Sequence, residues 1–111
     1  MKRTCVIAAA LLLCLSGAHA HAKGNAEAGK AKATQLCAAC HGVDGNKPTA
    51  PDFPILAGQH ADFLKKALVD YKSGKRNNPI MKGFAATLSN QDMEDLAVWF
   101  SMQPSKLVHH R

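Results

Sequence analysis

The sequence predicts an all-α domain, and three observations predict it. Apolar residues recur at helical spacing in separate stretches, each opened or closed by a residue that caps helices. The segments between them are rich in Gly and Pro. A Cys-x-x-Cys pair stands at the end of the first stretch, with no strand pattern near it.

The first segment is not part of that domain. Lys2 and Arg3 precede an uncharged apolar run of ten residues, Val6 to Leu15, and Ala18-His19-Ala20 follows as a small-residue site. That order is a secretory signal peptide, with cleavage after Ala20 or, as the alternative, after Ala22. A membrane anchor would need about 20 apolar residues. A lipoprotein site is also a poor reading, because Cys14 follows three leucines. The expected organisation is a signal peptide over 1–20 and a single domain over 21–111, exported to the periplasm and without stable membrane insertion. Loss of Lys2 and Arg3 takes the formal charge from +6 to +4. Scattered lysines with one Trp and one Tyr exclude a nucleic-acid reader.

The helical elements follow in order. Over 25–38, Asn25 is placed to cap, Glu27 suits the positive helix end, and alanines favour the helix. Residues 42–58 read as an irregular loop. Over 60–73, Leu64, Ala67, Leu68 and Tyr71 fall at i, i+3, i+4 and i+7, and Gly74 stops the helix. Residues 75–88 read as a second loop around Pro79 and Gly83. Ser89 opens the last helix with Asp92 three residues on; Met93, Leu96, Ala97 and Phe100 form its apolar stripe, and Pro104 ends it.

With Cys5 and Cys14 in the signal segment, the expected mature chain keeps only Cys37 and Cys40. A bridge between residues so close would brace almost nothing. Residues 37–41 read Cys-Ala-Ala-Cys-His, the pattern of c-type haem attachment. Two thiols at this spacing can each meet one haem vinyl group, and the adjoining imidazole of His41 is brought under the iron. A thioredoxin-like pair would need a βαβ surround. A zinc site would need two further ligands at metal-like spacing, whereas His60, His109 and His110 are isolated or terminal. The predicted cofactor is therefore one covalent haem c, held through Cys37 and Cys40.

The second axial position decides between gas or peroxide chemistry at an open iron and electron transfer at a closed one. Met81, Met93, Met102 and His60 are the candidates. Met93 lies on an apolar helical stripe and reads as core, and Met102 lies at that helix's end. His60 reads as a cap or surface residue of the middle helix. Met81 sits in Asn77-Asn78-Pro79-Ile80-Met81-Lys82-Gly83, where Pro restricts the backbone and Gly permits a turn, so it is the expected ligand. His/Met ligation would raise the reduction potential and keep both oxidation states six-coordinate.

Taken together these residues resemble class I cytochromes c, and the likeness runs from about Asn25 to Gln103. The attachment motif is followed by Phe53-Pro54-Ile55-Leu56-Ala57-Gly58, then by the Met81 segment and a terminal helix with aromatics. The resemblance implies three main helices and loops wrapped around one covalently attached haem. It also implies that the Pro54 carbonyl accepts from the His41 imidazole, that Leu56 packs on the haem, and that Gly29 is the small residue where the first helix crosses the last. The segment around Met81 looks like that of short bacterial members, including single halves of two-haem periplasmic proteins. One attachment motif allows one haem, and the long loop of the mitochondrial type is missing. The implied role is a monomeric, non-enzymatic one-electron carrier of a respiratory chain. Its partners would be a quinol-oxidising complex, another cytochrome, or a terminal oxidase or reductase. Two alternatives stay open: a cytochrome subunit of a larger periplasmic dehydrogenase, and a sensor or peroxidase with an open sixth position.

Basic residues concentrate at Lys65, Lys66, Lys72, Lys75, Arg76 and Lys82. They read either as a solvated face or, around Lys82, as a rim that steers an acidic partner. Tyr71 and Arg76 are candidate partners for the haem propionates.

Overall fold

A computed structural model describes residues 23–106, so the expected signal segment over 1–20 and the tail with His109 and His110 lie outside the described residues. Five helices follow one another: α1 (Ala26–Leu36), α2 (Ala38–His41), α3 (Ala61–Ser73), α4 (Pro79–Ala86) and α5 (Asn90–Ser101). There is no strand among the described residues.

The first and last of the long helices begin where the sequence supplies a cap. The Asn25 side chain accepts from the Ala28 N–H at 3.0 Å. At α5 the Ser89 side chain accepts from the Asp92 N–H at 3.0 Å while Asp92 accepts from the Ser89 N–H at 2.8 Å, a complete capping box. At α3, His60 occupies the cap position but its side chain makes no capping hydrogen bond. Gly74 closes α3 at φ +86°, a left-handed conformation costly for any residue with a Cβ.

The expected loop over 75–88 contains a helix instead. Asn78 caps α4 by accepting from the Met81 N–H at 3.1 Å, and Pro79 stands in its first turn. Proline there lacks only an N–H that no helical carbonyl would receive. Pro79 is thus a start signal, and exposed Gly83 is tolerated mid-helix. The first helix is shorter than expected: it breaks at Cys37, and α2 carries the attachment motif on a separate turn. The last helix ends at Ser101, with Met102 as its cap, before Pro104 is reached.

Packing centres on α5. A Cβ built on Gly29 of α1 would lie 2.0 Å from the Asp95 carbonyl oxygen and 2.8 Å from the Trp99 Cβ, so the two helices cross in near backbone contact. Buried Asp95 braces that crossing, accepting from the Asn25 N–H at 2.7 Å and from Gln91 at 2.9 Å. Ala33, Leu64, Leu88, Met93, Leu96, Ala97 and Phe100 form the core between α1, α3 and α5. A strap of residues 103–106 then crosses the attachment loop. Buried Asn46 donates to the Pro104 carbonyl at 2.7 Å and accepts from the Lys106 N–H at 3.3 Å. A Cβ on Gly58 would come within 2.4 Å of the Ser105 Cβ.

The capping box predicts a pH effect. The Ser89 N–H, with help from Lys32 at 3.3 Å, holds the Asp92 carboxyl below its ordinary range. A lowered folded value contributes stability above the unfolded pKa of about 3.9, and that stability is lost as pH falls through the folded value. Asp92→Ala is expected to cost about 1 kcal/mol at pH 7. In denaturant titrations its deficit should shrink below about pH 4. A deficit that stays constant down to pH 2.5 would exclude the charged cap as the cause.

Candidate functional site: an apolar cavity beside the Cys-x-x-Cys-His turn

A cavity of about 630 Å³ opens between α2, α3, α4, α5 and the loop around Pro54. Leu36, Leu64, Leu68 and Phe100 give it apolar walls. Cys37, Cys40 and His41 meet it from α2, and Ile80, Met81 and Phe84 from α4. Pro54 and Leu56 also line it.

His41 is buried, and its Nδ1 lies 2.9 Å from the Pro54 carbonyl oxygen. A carbonyl can only accept, so Nδ1 donates, and in a neutral imidazole Nε2 then keeps its lone pair for a metal. The tilted Phe53 ring, 6.1 Å away, adds a packing contact to the imidazole. The backbone around the motif is also tied down: the Thr49 N–H donates to the Cys40 carbonyl at 3.0 Å, and the Lys47 N–H to the His41 carbonyl at 3.2 Å. Both cysteines are free thiols. Burial, with the neighbouring Cys40, pushes the Cys37 thiol up to about 11, so it is neutral at physiological pH.

Of the four candidates for a second axial ligand, only Met81 lines the cavity. It is half-buried in the first turn of α4. Met93 is wholly buried in the core, and Met102 is 67% exposed. His60 is exposed, outside the lining. The basic cluster divides as well. Lys65 pairs with Glu94, Lys66 with Asp70, and Lys72 donates to the Leu88 carbonyl. Lys75, Arg76 and Lys82 remain around the Gly74 turn.

Sequence reading passed over three contributors. The Asn78-Pro79 pair carries a helix-start signature that would have found α4. Ile80 and Phe84 then follow as residues on one side of a helix, four apart. Asn46 has a local partner in Asp44, but its bonds to the strap at Pro104 and Lys106, 58 and 60 residues away, have no readable signal.

An all-helical domain that gathers two thiols, a buried imidazole and a thioether around one apolar cavity is of the c-type haem-protein class. The cytochrome c family profile matches residues 26–101. A cytochrome c4 of Pseudomonas aeruginosa is 52% identical over 84 residues, spanning 76% of this chain and 41% of that protein. A thiosulfate dehydrogenase electron acceptor of Stutzerimonas stutzeri is 40% identical over 98 residues, spanning 87% of this chain and 45% of its own. The crystal structure of reduced cytochrome c4 from Pseudomonas stutzeri superposes with a TM-score of 0.67 at 47% identity, over 73% of this chain and 46% of the other. The chain belongs to the cytochrome c family, with the class I fold. It spans a little under half the length of each of these three relatives.

The lining residues fit the family's cofactor. The cavity falls within the roughly 300–1,000 Å³ of small-molecule and cofactor sites, and its walls are mainly apolar, as a porphyrin requires. Its imidazole nitrogen, thioether sulfur and two thiols are the donor set expected for haem iron and for thioether attachment.

Proposed function

We propose that this chain is a periplasmic one-electron carrier holding a single haem c. The observation that carries the reading is the cavity lining, with His41 and its free Nε2 joined by Met81 and both cysteines. Cys37 and Cys40 would hold the haem through thioethers, and His41 and Met81 would be the axial ligands. When bound, the iron supplies the one-electron couple.

The chain's own part is to fix the ligands and keep water out. The Pro54 carbonyl fixes the ring orientation and tautomer of His41 and raises its basicity. Leu36, Leu56, Leu64, Leu68 and Phe100 exclude water, and Met81 would close the remaining axial position. Residues 1–20 would direct export, and the remainder would act as one monomeric domain between respiratory redox proteins. Among the described residues no helix is long and apolar enough to cross a membrane. Lys75, Arg76 and Lys82 would steer an acidic partner toward the cavity mouth.

The likeness to a dehydrogenase's electron acceptor favours a second reading, service to one periplasmic dehydrogenase. The test begins with protein matured where haem is attached. Haem is expected to stay with the polypeptide through acid–acetone extraction, and its exchange rate with an acidic redox protein to fall as salt rises. Extractable haem, or carbon monoxide binding by the reduced protein at pH 7, would sink the carrier reading. Stable co-purification with one dehydrogenase would select the second.

A further inference from the structure

The α4 helix buries little of itself in the protein. It has eight residues, and an isolated helix that short is not stable in water. Ala85 is its one buried residue; Met81 is half-buried, and Ile80, Lys82, Gly83, Phe84 and Ala86 are exposed. Ile80, Met81 and Phe84 line the cavity. A segment with so few buried apolar contacts belongs to the part of a fold that opens most readily.

Lys72 ties this helix down. It stands in the last turn of α3, and its ammonium donates to the carbonyl of Leu88, in the turn between α4 and α5. Leu88 is buried in the core, and its N–H donates to the Ala85 carbonyl at 3.1 Å. The tie therefore acts directly on the end of α4. A hydrogen bond from an ionised donor is roughly twice as strong as a neutral one. A cation at the C-terminal end of a helix also meets the negative pole of its dipole. Lys82 makes the reverse approach: it belongs to α4, and its ammonium would lie 3.8 Å from a Cβ built on Gly74, where α3 ends. The neighbouring lysines point their charge elsewhere. Lys66 pairs with Asp70 inside α3, and Lys65 joins α3 to Glu94 of α5.

We propose that Lys72 is a positioning residue for Met81: by tying the end of α4 to α3, it sets how often the methionine leaves the iron. The proposal rests on the reading of Met81 as an axial ligand. With the tie gone, α4 is held by less, and the population moves toward forms in which the sixth position is open. An external ligand competes with Met81 only in those forms, so its apparent affinity rises with the fraction that is open.

The experiment titrates imidazole into the ferric, haem-loaded protein and follows the loss of the far-red methionine–iron band. Wild type is compared with Lys72→Met, Lys72→Arg and Lys65→Met. Lys72 is exposed and Lys65 half-exposed, so these chains are expected to fold. Lys72→Met keeps the apolar stem and loses the donor, and it should bind imidazole several-fold more tightly. Lys72→Arg keeps a cationic donor and should restore most of the wild-type affinity. Lys65→Met loses a tie to α5 and none to α4, so its imidazole affinity should match wild type. Equal affinities in wild type and Lys72→Met would overturn the proposal; a lower melting temperature beside them would leave Lys72 a stabilising contact only. Equal gains in Lys72→Met and Lys65→Met would overturn it too, because a general loosening of the fold would account for both. Failure of the Met81 reading looks different, since wild type would lack the far-red band before any imidazole is added.

Discussion

Met81→Ala, matured with haem, is expected to lose the weak far-red methionine–iron band and to bind carbon monoxide when reduced. Its reduction potential should fall by a share of the roughly 0.8 V that axial ligation spans. A thioether favours ferrous iron, and the water or hydroxide that can enter after truncation does so less. The α4 helix keeps its Asn78 cap, so the stability lost should be that of the iron–methionine bond and not of the helix. Met93→Ala provides the opposite pattern. Met93 is wholly buried, so its truncation should cost about 2–5 kcal/mol while band and potential persist. Redox titration with guanidinium melts of both variants separates ligand from core. A Met81→Ala protein that keeps the far-red band would remove Met81 from the iron.

Gly29→Ala should be among the most damaging single-methyl additions in the chain. At an open helical position the same change helps by up to about 1 kcal/mol, because alanine is the better helix former. At position 29 the new Cβ would lie 2.0 Å from the Asp95 carbonyl oxygen. That oxygen belongs to the backbone of α5 and cannot swing aside, so α1 and α5 must separate. Separation loosens Ala33 from the core and the Asn25–Asp95 hydrogen bond with it. The expected cost is about 3 kcal/mol, at the upper end for overpacking. For a domain of this size that lowers the melting temperature by roughly 12–24 °C. Gly83→Ala is the control, because nothing stands within 4 Å of its added Cβ. It should raise the melting temperature slightly. If both substitutions moved it the same way, close approach at Gly29 would not be the reason for glycine there.

Much of this was legible in sequence, for identifiable reasons. Ser89 with Asp92, Asn25, and Gly74 are local signals whose partners lie within three or four residues, and each marked the helix end the structure has. The class I fold followed from the order of short motifs. The α4 helix is hidden in the sequence because Pro79 and Gly83 both read as breakers, whereas proline in a first turn favours the helix. The break at Cys37 is illegible because Ala-Thr-Gln-Leu-Cys-Ala has no stop signal. At the site, Cys37, Cys40 and His41 could be named from adjacency alone. Met81 could be singled out from its Pro- and Gly-bounded segment, and the cavity agrees with that choice in that neither Met93 nor Met102 lines it. The placement of Arg76 over the Phe63 and Tyr71 rings depends on the turn geometry after α3, which spacing does not encode.

The strap of residues 103–106 gives the molecule a mechanical handle. Through Asn46 it is clipped to the loop that runs from the attachment motif to Pro54 and Leu56. A load applied beyond Lys106, by a fused protein or a surface tether, is therefore delivered first to that loop. The carbonyl that orients His41 sits on it. Tension there would reach the Pro54 carbonyl, and with it the orientation of the His41 ring, through one clip.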